Sequence, residues 1–301
     1  MTHTRRKPKR YWPKLLALVV LLLGAFLAWS FLSPNSETGP FLTWPPLSSD
    51  SNSGVTPHTD FPHFTAQART ADLTDTQYLK LVNRDRPIST GVGGTRLTTV
   101  WPALPVSTVD VTLHETAKQA ITDLFAAAER AGIHNLFIAS GFRSDAEQRQ
   151  LYENAADRSF VMPPGHSEHQ LGLAADILST DDLISMTGSD EARWLAENAP
   201  RFGLIRRYPH DKQDITGVAY EPWHFRYVGR VHAWYMSTHD MVLEEYIQFL
   251  QTSGGLELTL DGRHYYVLYQ RPEHGMIFVP EDLSFKVSTA NTGGYIVTAW
   301  R

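Results

Sequence analysis

The chain has 301 residues, of which 42% are hydrophobic and 20% charged, a composition that excludes collagen-like, low-complexity and fully disordered proteins. It contains no cysteine, which excludes disulfide scaffolds, thiolate nucleophiles and cysteine-built zinc fingers, so any metal must be held by His, Asp or Glu. The formal net charge is -5, and because residues 1–14 hold six basic side chains and no acid, the rest of the chain carries -11; this acidity argues against nucleic-acid binding, which needs clustered Lys and Arg.

The amino-terminal part has the pattern of a membrane anchor. Residues 15–32 contain no charged side chain, and this length is close to the roughly 20 residues that a helix needs to cross a bilayer. The basic segment 1–14 predicts a cytoplasmic amino terminus by the positive-inside rule, which places everything after the anchor outside the cell. The alternative is a cleaved signal peptide, whose apolar region usually has about 7–15 residues.

Residues 33–75 are predicted to be an extracytoplasmic linker. Six prolines stand there among Ser, Thr and Asn, and the few aromatic residues are too scattered for a core. Such a segment is partly extended by its prolines and would hold a globular domain away from the bilayer.

Residues 76–250 have the composition of a globular domain. Apolar residues at helical spacing predict an amphipathic helix over 114–131, a capping box at Ser144 opens a helix that ends near residue 156, and Ser189 caps a third helix over 190–198. Short apolar stretches predict buried strands at 135–140, 174–178, 204–207 and 224–228. This order predicts an α+β fold with a small, mainly antiparallel sheet and flanking helices.

The segment PGHSEHQLGLAAD, residues 164–176, contains the first set of candidate metal ligands. On a continuous helix His169 and Asp176 would lie about 10.5 Å apart along the axis, too far to share an ion bound at about 2.0–2.2 Å. Gly172 between them allows the chain to reverse, and the residues around Asp176 suit a buried strand that presents its carboxylate on one face.

The segment YEPWHFRYVG, residues 220–229, places Glu221 three residues before His224, and the proline between them forbids a helix interior. If His224 joined His169 and Asp176, the three ligands would leave the fourth position of a zinc ion open for water. Glu221 would then be the general base, while the metal lowers the pKa of that water toward about 7. The alternative is a surface Glu and a strand His packed under Trp223.

Five motifs in this order resemble the VanY-type D-alanyl-D-alanine carboxypeptidases, which belong to the zinc peptidases that share a site with lysostaphin-type enzymes and the hedgehog amino-terminal domain. They are SGFRSDAEQ at 140–148, PGHSEHQLGLAAD at 164–176, RRYP at 206–209, ITG at 215–217 and YEPWHFRYVG at 220–229. The likeness spans residues 79–250, over half of the chain. It implies a hedgehog/D-Ala-D-Ala-peptidase-like fold, Zn²⁺ held by His169, Asp176 and His224, and Glu221 as the catalytic base.

The resemblance also implies roles around the metal. Arg143 would point into the cleft, where its guanidinium could stabilise the developing oxyanion or the substrate carboxylate; the alternative is a helix-entry residue paired with Asp145. Ser167, Gln148 and Tyr152 match positions that contact the terminal D-alanine.

Residues 251–301 are predicted to form a β-rich module beyond the catalytic core of the family. Asp261-Gly262 is a strong hairpin-turn signal, and further short strands follow. One interpretation is a cap that packs on the peptidase. The other is a small module that binds glycan or peptide through Tyr265, Tyr266 and Tyr269, although strand alternation places only the first and last of these on one face.

The favoured hypothesis is a membrane-anchored, extracytoplasmic zinc D-alanyl-D-alanine carboxypeptidase that removes the terminal D-Ala from peptidoglycan stem pentapeptides ending in D-Ala-D-Ala. Two alternatives stay open, a D,D-dipeptidase or peptidoglycan endopeptidase of the same fold, and a non-catalytic cell-wall-binding protein with a peptidase-like fold. The presence of both Glu221 and Arg143 counts against the last. The sequence does not indicate the oligomeric state.

Overall fold

The computed structural model describes residues 63–88, 96–183 and 185–301. The predicted cytoplasmic segment, the predicted anchor at 15–32 and most of the predicted linker lie outside these ranges. Within them, no helix combines the length and the hydrophobicity that crossing a bilayer requires.

The described part of residues 76–253 forms an α+β unit around a four-stranded antiparallel sheet with the strand order β4-β5-β7-β6. The small antiparallel sheet with flanking helices is therefore confirmed. The elements are, in chain order, β1 (Ala66–Arg69), β2 (Leu97–Thr99), β3 (Thr112–His114), α1 (Glu115–Arg130), β4 (Leu136–Ser140), α2 (Asp145–Asn154), β5 (Ala174–Ser179), α3 (Asp190–Asn198), β6 (Leu204–Tyr208), α4 (Gln213–Thr216), β7 (Glu221–Tyr227), α5 (Arg230–Thr238) and α6 (Leu243–Ser253).

Local sequence signals account for the helix ends. The hydroxyl of Ser144 accepts a hydrogen bond from the backbone N–H of Glu147, whose carboxylate accepts one from the backbone N–H of Ser144. This capping box satisfies two amide groups that the first turn of α2 leaves open. The hydroxyl of Ser189 caps α3 in the same way, by accepting from the N–H of Ala192.

The apolar stripe of α1 covers the sheet. Leu124 and Ile121 of α1 are fully buried, and they share one core with Ile138 of β4, Ile177 of β5 and Phe225 of β7. Burial of side chains of this size stabilises the fold by about 1.5–3 kcal/mol each. The apolar stripe of α1 therefore packs on one face of the sheet, and polar side chains occupy the ends of β5 and β7.

The last fifty residues form a second antiparallel sheet with the strand order β11-β12-β9-β8. Its strands are β8 (Gly255–Leu260), β9 (Arg263–Gln270), β11 (Ser284–Thr289) and β12 (Tyr295–Trp300), while β10 (Met276–Val279) lies outside the sheet and pairs with β1. One face of the sheet shares a core with α5 and α6, so the module packs directly on the peptidase unit.

The linker boundary at residue 75 needs correction. Ala66–Arg69 forms β1 and pairs with β10, and the carboxylate of Asp75 accepts hydrogen bonds from the backbone and the hydroxyl of Thr289. Phe64 is buried against the outer face of the second sheet. The segment just before residue 76 therefore packs with the β-rich module. Its partner strand lies more than 200 residues along the chain, and the alternation of alanine with polar residues in β1 is only four residues long, which is too short to reveal the pairing.

The predicted aromatic set of this module is not an exposed platform. Tyr266 and Tyr269 are buried, on opposite faces of the sheet, and the hydroxyl of Tyr269 accepts a hydrogen bond from Gln251 at 3.0 Å. Only Tyr265 keeps a partly exposed ring. Helix packing on one face and β1 with β10 on the other account for this burial.

Candidate metal centre

Three side chains from distant parts of the sequence converge at one end of the first sheet. His169 lies in a 3-10 turn (Glu168–Leu171), Asp176 on β5 and His224 on β7. Asp176 and His224 are direct cross-strand partners, so their side chains share a face. Gly172, at φ +69°, ends the turn and reverses the chain toward β5, as the sequence predicts.

The potential ligand atoms of His169, Asp176 and His224 all lie within 4.8 Å of one another. Asp176 Oδ1 is 3.1 Å from His224 Nδ1 and 3.4 Å from His169 Nε2. Two imidazole nitrogens and one carboxylate oxygen form a donor set that suits Zn²⁺ and leaves a fourth coordination position open. The predicted ligands are therefore brought together.

The tautomer of His169 supports a metal at this point. Its Nδ1 lies 2.7 Å from the carbonyl oxygen of Gly141, and because a carbonyl can only accept, Nδ1 carries the proton and Nε2 keeps a lone pair. Nε2 is buried without a hydrogen-bond partner, and burial lowers the pKa of His169 to about 4. A lone pair that faces a carboxylate oxygen is repelled by it, and a cation bound between the two atoms would remove this repulsion. A Cβ at Gly141 would clash with the Thr112 carbonyl oxygen, so glycine is required there.

Glu221 lies at the start of β7 beside this cluster. Its Oε2 is 3.7 Å from His224 Nδ1, and its side chain is 7% exposed. Burial raises its pKa to about 8. A carboxyl group whose pKa lies near neutral can accept and release a proton during turnover, as a general base must.

Arg143 points into the same site. Its guanidinium lies 3.8 Å from the Asp176 carboxylate and donates to Gln148 Oε1 at 2.9 Å, while its Nε is buried without a partner. The alternative pairing with Asp145 is wrong, because Asp145 bonds to Arg149 at 2.9 Å instead. Arg143 is therefore available to a ligand that carries negative charge.

The predicted substrate contacts occupy three different environments. Gln148 is fully buried, and it accepts from Arg143 and donates to the carbonyl of Met162 at 2.6 Å, so it orients the guanidinium. Ser167 is buried directly before the 3-10 turn. Tyr152 is half-buried on α2, with the guanidinium of Arg158 over its ring at 4.5 Å. Contact of these side chains with D-alanine stays a prediction.

Comparison with known proteins agrees with this geometry. A family model described as VanY, D-alanyl-D-alanine carboxypeptidase, matches residues 110–230. The bifunctional D-Ala-D-Ala dipeptidase and carboxypeptidase VanXYC of Enterococcus gallinarum is 37% identical over 186 residues, which cover 57% of this chain and 94% of that protein. This chain belongs to the VanY family.

Other proteins similar to this chain share only part of its length or are named for different activities. A D-alanyl-D-alanine carboxypeptidase of Enterococcus faecium is 36% identical over 60% of this chain and 59% of its own length. This chain therefore spans little more than half of that relative. The solved structure of the D,D-dipeptidase VanXYg, in complex with a D-Ala-D-Ala phosphinate analogue, has a TM-score of 0.66 at 27% identity, covering 78% of this chain and 98% of that one. The LD-carboxypeptidase LdcB has a TM-score of 0.52 at 31% identity, covering 58% and 97%.

A buried ion network behind the VanY-type site was not predicted. Glu168 Oε1 accepts from Arg207 Nε at 2.8 Å and lies 3.0 Å from Arg226, while Arg207 donates to both carboxylate oxygens of Glu244 at 2.6 and 2.8 Å. Burial opposes the ionisation of Glu168, but the two guanidinium groups hold its pKa well below the usual range. Glu168 Oε2 lies 3.6 Å from His224 Nε2. Its position directly before His169 was the one sequence signal that could have identified it.

Proposed function

We propose that this chain is a zinc D-alanyl-D-alanine carboxypeptidase that removes the terminal D-Ala from peptidoglycan stem pentapeptides. The observation that carries the proposal is the convergence of His169, Asp176 and His224, with Glu221 beside them and Arg143 turned toward the same point. Membership of the VanY family supports the substrate class, because VanXYC and the E. faecium relative are named for action on D-Ala-D-Ala.

Each residue of the site has a separate role in the proposed reaction. His169, Asp176 and His224 hold Zn²⁺, which when bound supplies Lewis-acid polarisation of the peptide carbonyl and activation of water. Glu221 accepts the proton of the attacking water and transfers it to the nitrogen of the departing D-alanine. The hydrogen bond to Gln148 holds the Arg143 guanidinium in place. Its positive charge then stabilises either the carbonyl oxygen or the terminal carboxylate of the substrate.

The proposal includes an extracytoplasmic location with a single-pass anchor at residues 15–32. The charge-free segment and its basic flank support this topology, and the assembled peptidoglycan polymer lies outside the membrane. Fractionation of cells that express the full chain or a chain without residues 1–32 tests it. The full chain should sediment with membranes and be degraded by protease added outside, whereas recovery in the cytosol would contradict the topology.

A second candidate activity is D,D-dipeptidase, and the similarity to the bifunctional VanXYC favours it. Release of free D-alanine from a stem pentapeptide and from D-Ala-D-Ala, together with hydrolysis of a cross-linked stem into two separate stems, distinguishes the candidates. The proposal predicts that the pentapeptide has the highest kcat/KM. A higher value for the free dipeptide would identify a dipeptidase, and cleavage of the cross-linked stem would identify an endopeptidase. Hydrolysis of none of the three substrates would identify a non-catalytic protein.

A further inference from the structure

Residues 81–88 form a bridging segment between the β-rich module and the loops around the metal centre. The module holds this segment through Asn291, which lies in the turn between β11 and β12. The side-chain amide of Asn291 donates to the carbonyl oxygens of Leu81 at 2.8 Å and Pro87 at 2.9 Å. Its φ of +59° is a left-handed conformation, in which asparagine is enriched over most other residues. One side chain therefore ties both ends of the bridging segment to the module.

The bridging segment has a fixed conformation of its own, which depends on Asn83. The Oδ1 atom of Asn83 accepts from the backbone N–H groups of Asp85 and Arg86, both at 3.1 Å. Its Nδ2 atom donates to Glu244 of α6 at 3.1 Å. An asparagine that bonds to the backbone two and three residues ahead stabilises a tight turn without a helix or sheet around it. A displacement at one end of the segment is therefore transmitted along it.

The first loop that the bridging segment contacts lies directly before the 3-10 turn of the metal centre. Nδ1 of His166 lies 2.8 Å from the carbonyl oxygen of Asn83, and because a carbonyl can only accept, Nδ1 donates. The backbone N–H of Ile88 donates to the carbonyl oxygen of Gly165 at 2.7 Å. The next residue of this loop is Ser167, a predicted contact of the terminal D-alanine. The bridging segment thus supports one wall of the predicted substrate cleft.

Arg84 connects the bridging segment to two further loops. Its guanidinium donates to the carbonyl oxygens of Gly217 and Arg158. Arg158 lies four residues before Met162, whose carbonyl oxygen accepts from Gln148 at 2.6 Å. Because Gln148 also orients the guanidinium that points into the site, the position of this loop affects a group that would bind the substrate.

The loop that contains Gly217 leads directly into the site. Glu221, the proposed base, follows Gly217 by four residues. Val218 packs against Tyr208, whose ring lies 4.8 Å from the ring of His224. All three loops that the bridging segment contacts therefore carry or support groups of the site.

We propose that the β-rich module positions the substrate-binding loops of the peptidase through the bridging segment, with Asn291 as the positioning residue. The inference rests on the proposed function, since it gives the module a part in binding the stem peptide. Asn291 acts through Leu81 and Pro87, which belong to the bridging segment. Loops that surround the substrate contact it equally before and during the reaction, so their displacement weakens binding without slowing the chemical step.

The first test compares KM and kcat for D-alanine release from a stem pentapeptide by the full-length chain. The Asn291→Asp variant keeps the size of the side chain and tolerates the left-handed backbone, but it cannot donate to the two carbonyl oxygens. With these hydrogen bonds lost, KM should rise about tenfold while kcat stays within about twofold. A purely structural role would reduce the amount of folded chain, which lowers the apparent kcat and leaves KM unchanged. That result would overturn the inference.

The matched control is Asn135→Asp. Asn135 also has a left-handed backbone, with φ +67°, and its side-chain amide donates to the exposed carboxylate of Asp181 at 3.0 Å. It belongs neither to the module nor to the bridging segment, so the same replacement there should leave KM and kcat unchanged. An equal rise of KM in Asn135→Asp and Asn291→Asp would contradict a specific role for Asn291.

Hydrogen–deuterium exchange of the full-length chain is a second readout, which does not depend on catalysis. In Asn291→Asp, the backbone amides of residues 158–167 and 213–219 should exchange about tenfold faster than in the unmodified chain, because these loops open more easily. The amides of α1 should exchange as before. Unchanged exchange in the two segments, or a uniform increase over the whole chain, would overturn the inference.

The two readouts keep this inference distinct from the proposed function. Faster exchange in the loops of a chain that releases no D-alanine supports the role of the module and contradicts the carboxypeptidase. D-Alanine release with unchanged KM and unchanged exchange in Asn291→Asp contradicts only the role of the module.

Discussion

Glu168 Oε2 lies 3.6 Å from His224 Nε2, and neither atom has a hydrogen-bond partner within the described ranges. The other nitrogen of His224 faces Asp176 at the metal site. When Nδ1 binds a metal, Nε2 must carry the ring proton, and the nearest acceptor for it is the carboxylate of Glu168. The pair therefore has the arrangement of a carboxylate that orients a metal-binding histidine.

Replacement of Glu168 by Gln should lower zinc affinity by about 10–100-fold, the usual effect of losing a group that orients a ligand. Competition with a chromophoric chelator measures the affinity. Glu244→Gln is the matched control, because it removes a carboxylate of the same ion network that bonds to Arg207 instead of facing His224. Equal losses in both variants would show that the network acts through folding alone.

Zinc affinity should increase with pH up to about 9. Burial alone would lower the pKa of His224, but the adjacent carboxylates of Asp176 and Glu168 raise it to about 9 in the metal-free chain. Below that pH a proton competes with the metal for Nδ1, so binding must release it and the affinity rises by about tenfold per pH unit. Titrations in buffers of different ionisation enthalpy count the protons released. Affinity independent of pH between 6 and 9 would contradict this assignment.

Arg207→Met should destabilise the fold by about 3–5 kcal/mol, because it leaves buried carboxylates without their main partner. The side chains of Arg207 and Glu168 are both 0% exposed. Urea unfolding measures the loss. Arg193→Ala is the control, since its ion pair with Asp190 is exposed and its removal should change the stability by less than about 1 kcal/mol. A similar, small effect in both variants would contradict a structural role for the network.

The Glu221→Gln variant should still bind zinc but should hydrolyse the substrate far more slowly. The side chain keeps its size, but an amide cannot accept the proton of the attacking water, so kcat for D-alanine release should fall by about 10²–10⁴-fold. Release of D-alanine and zinc content are measured on the same sample. Full activity with zinc bound would exclude Glu221 as the base.

The parts of the fold that local patterns determine were predicted correctly. The apolar stripe of α1 and the capping box at Ser144 depend on neighbours within one or two helical turns. The reversal at Gly172 and the strand that carries Asp176 also follow from local sequence. The ligand set itself was predicted because the resemblance joined two motifs that neither periodicity nor spacing connects.

The features that were missed all depend on contacts between distant residues. Pairing of β1 with β10 and the burial of Tyr266 between β-layers are decided by tertiary packing, which strand alternation does not describe. From the sequence alone, Glu168 would be expected to be an exposed, charged residue. Its burial becomes possible because Arg207 of β6 and Arg226 of β7 supply positive charge beside its carboxylate.

Elemental analysis of zinc in the purified chain tests the central claim most directly. The unmodified chain and the exposed control variant Asp190→Ala should each contain one zinc ion per chain, and Asp176→Ala should contain none above background. One zinc ion per chain in the Asp176→Ala variant would show that the metal is held elsewhere and would contradict the centre described here.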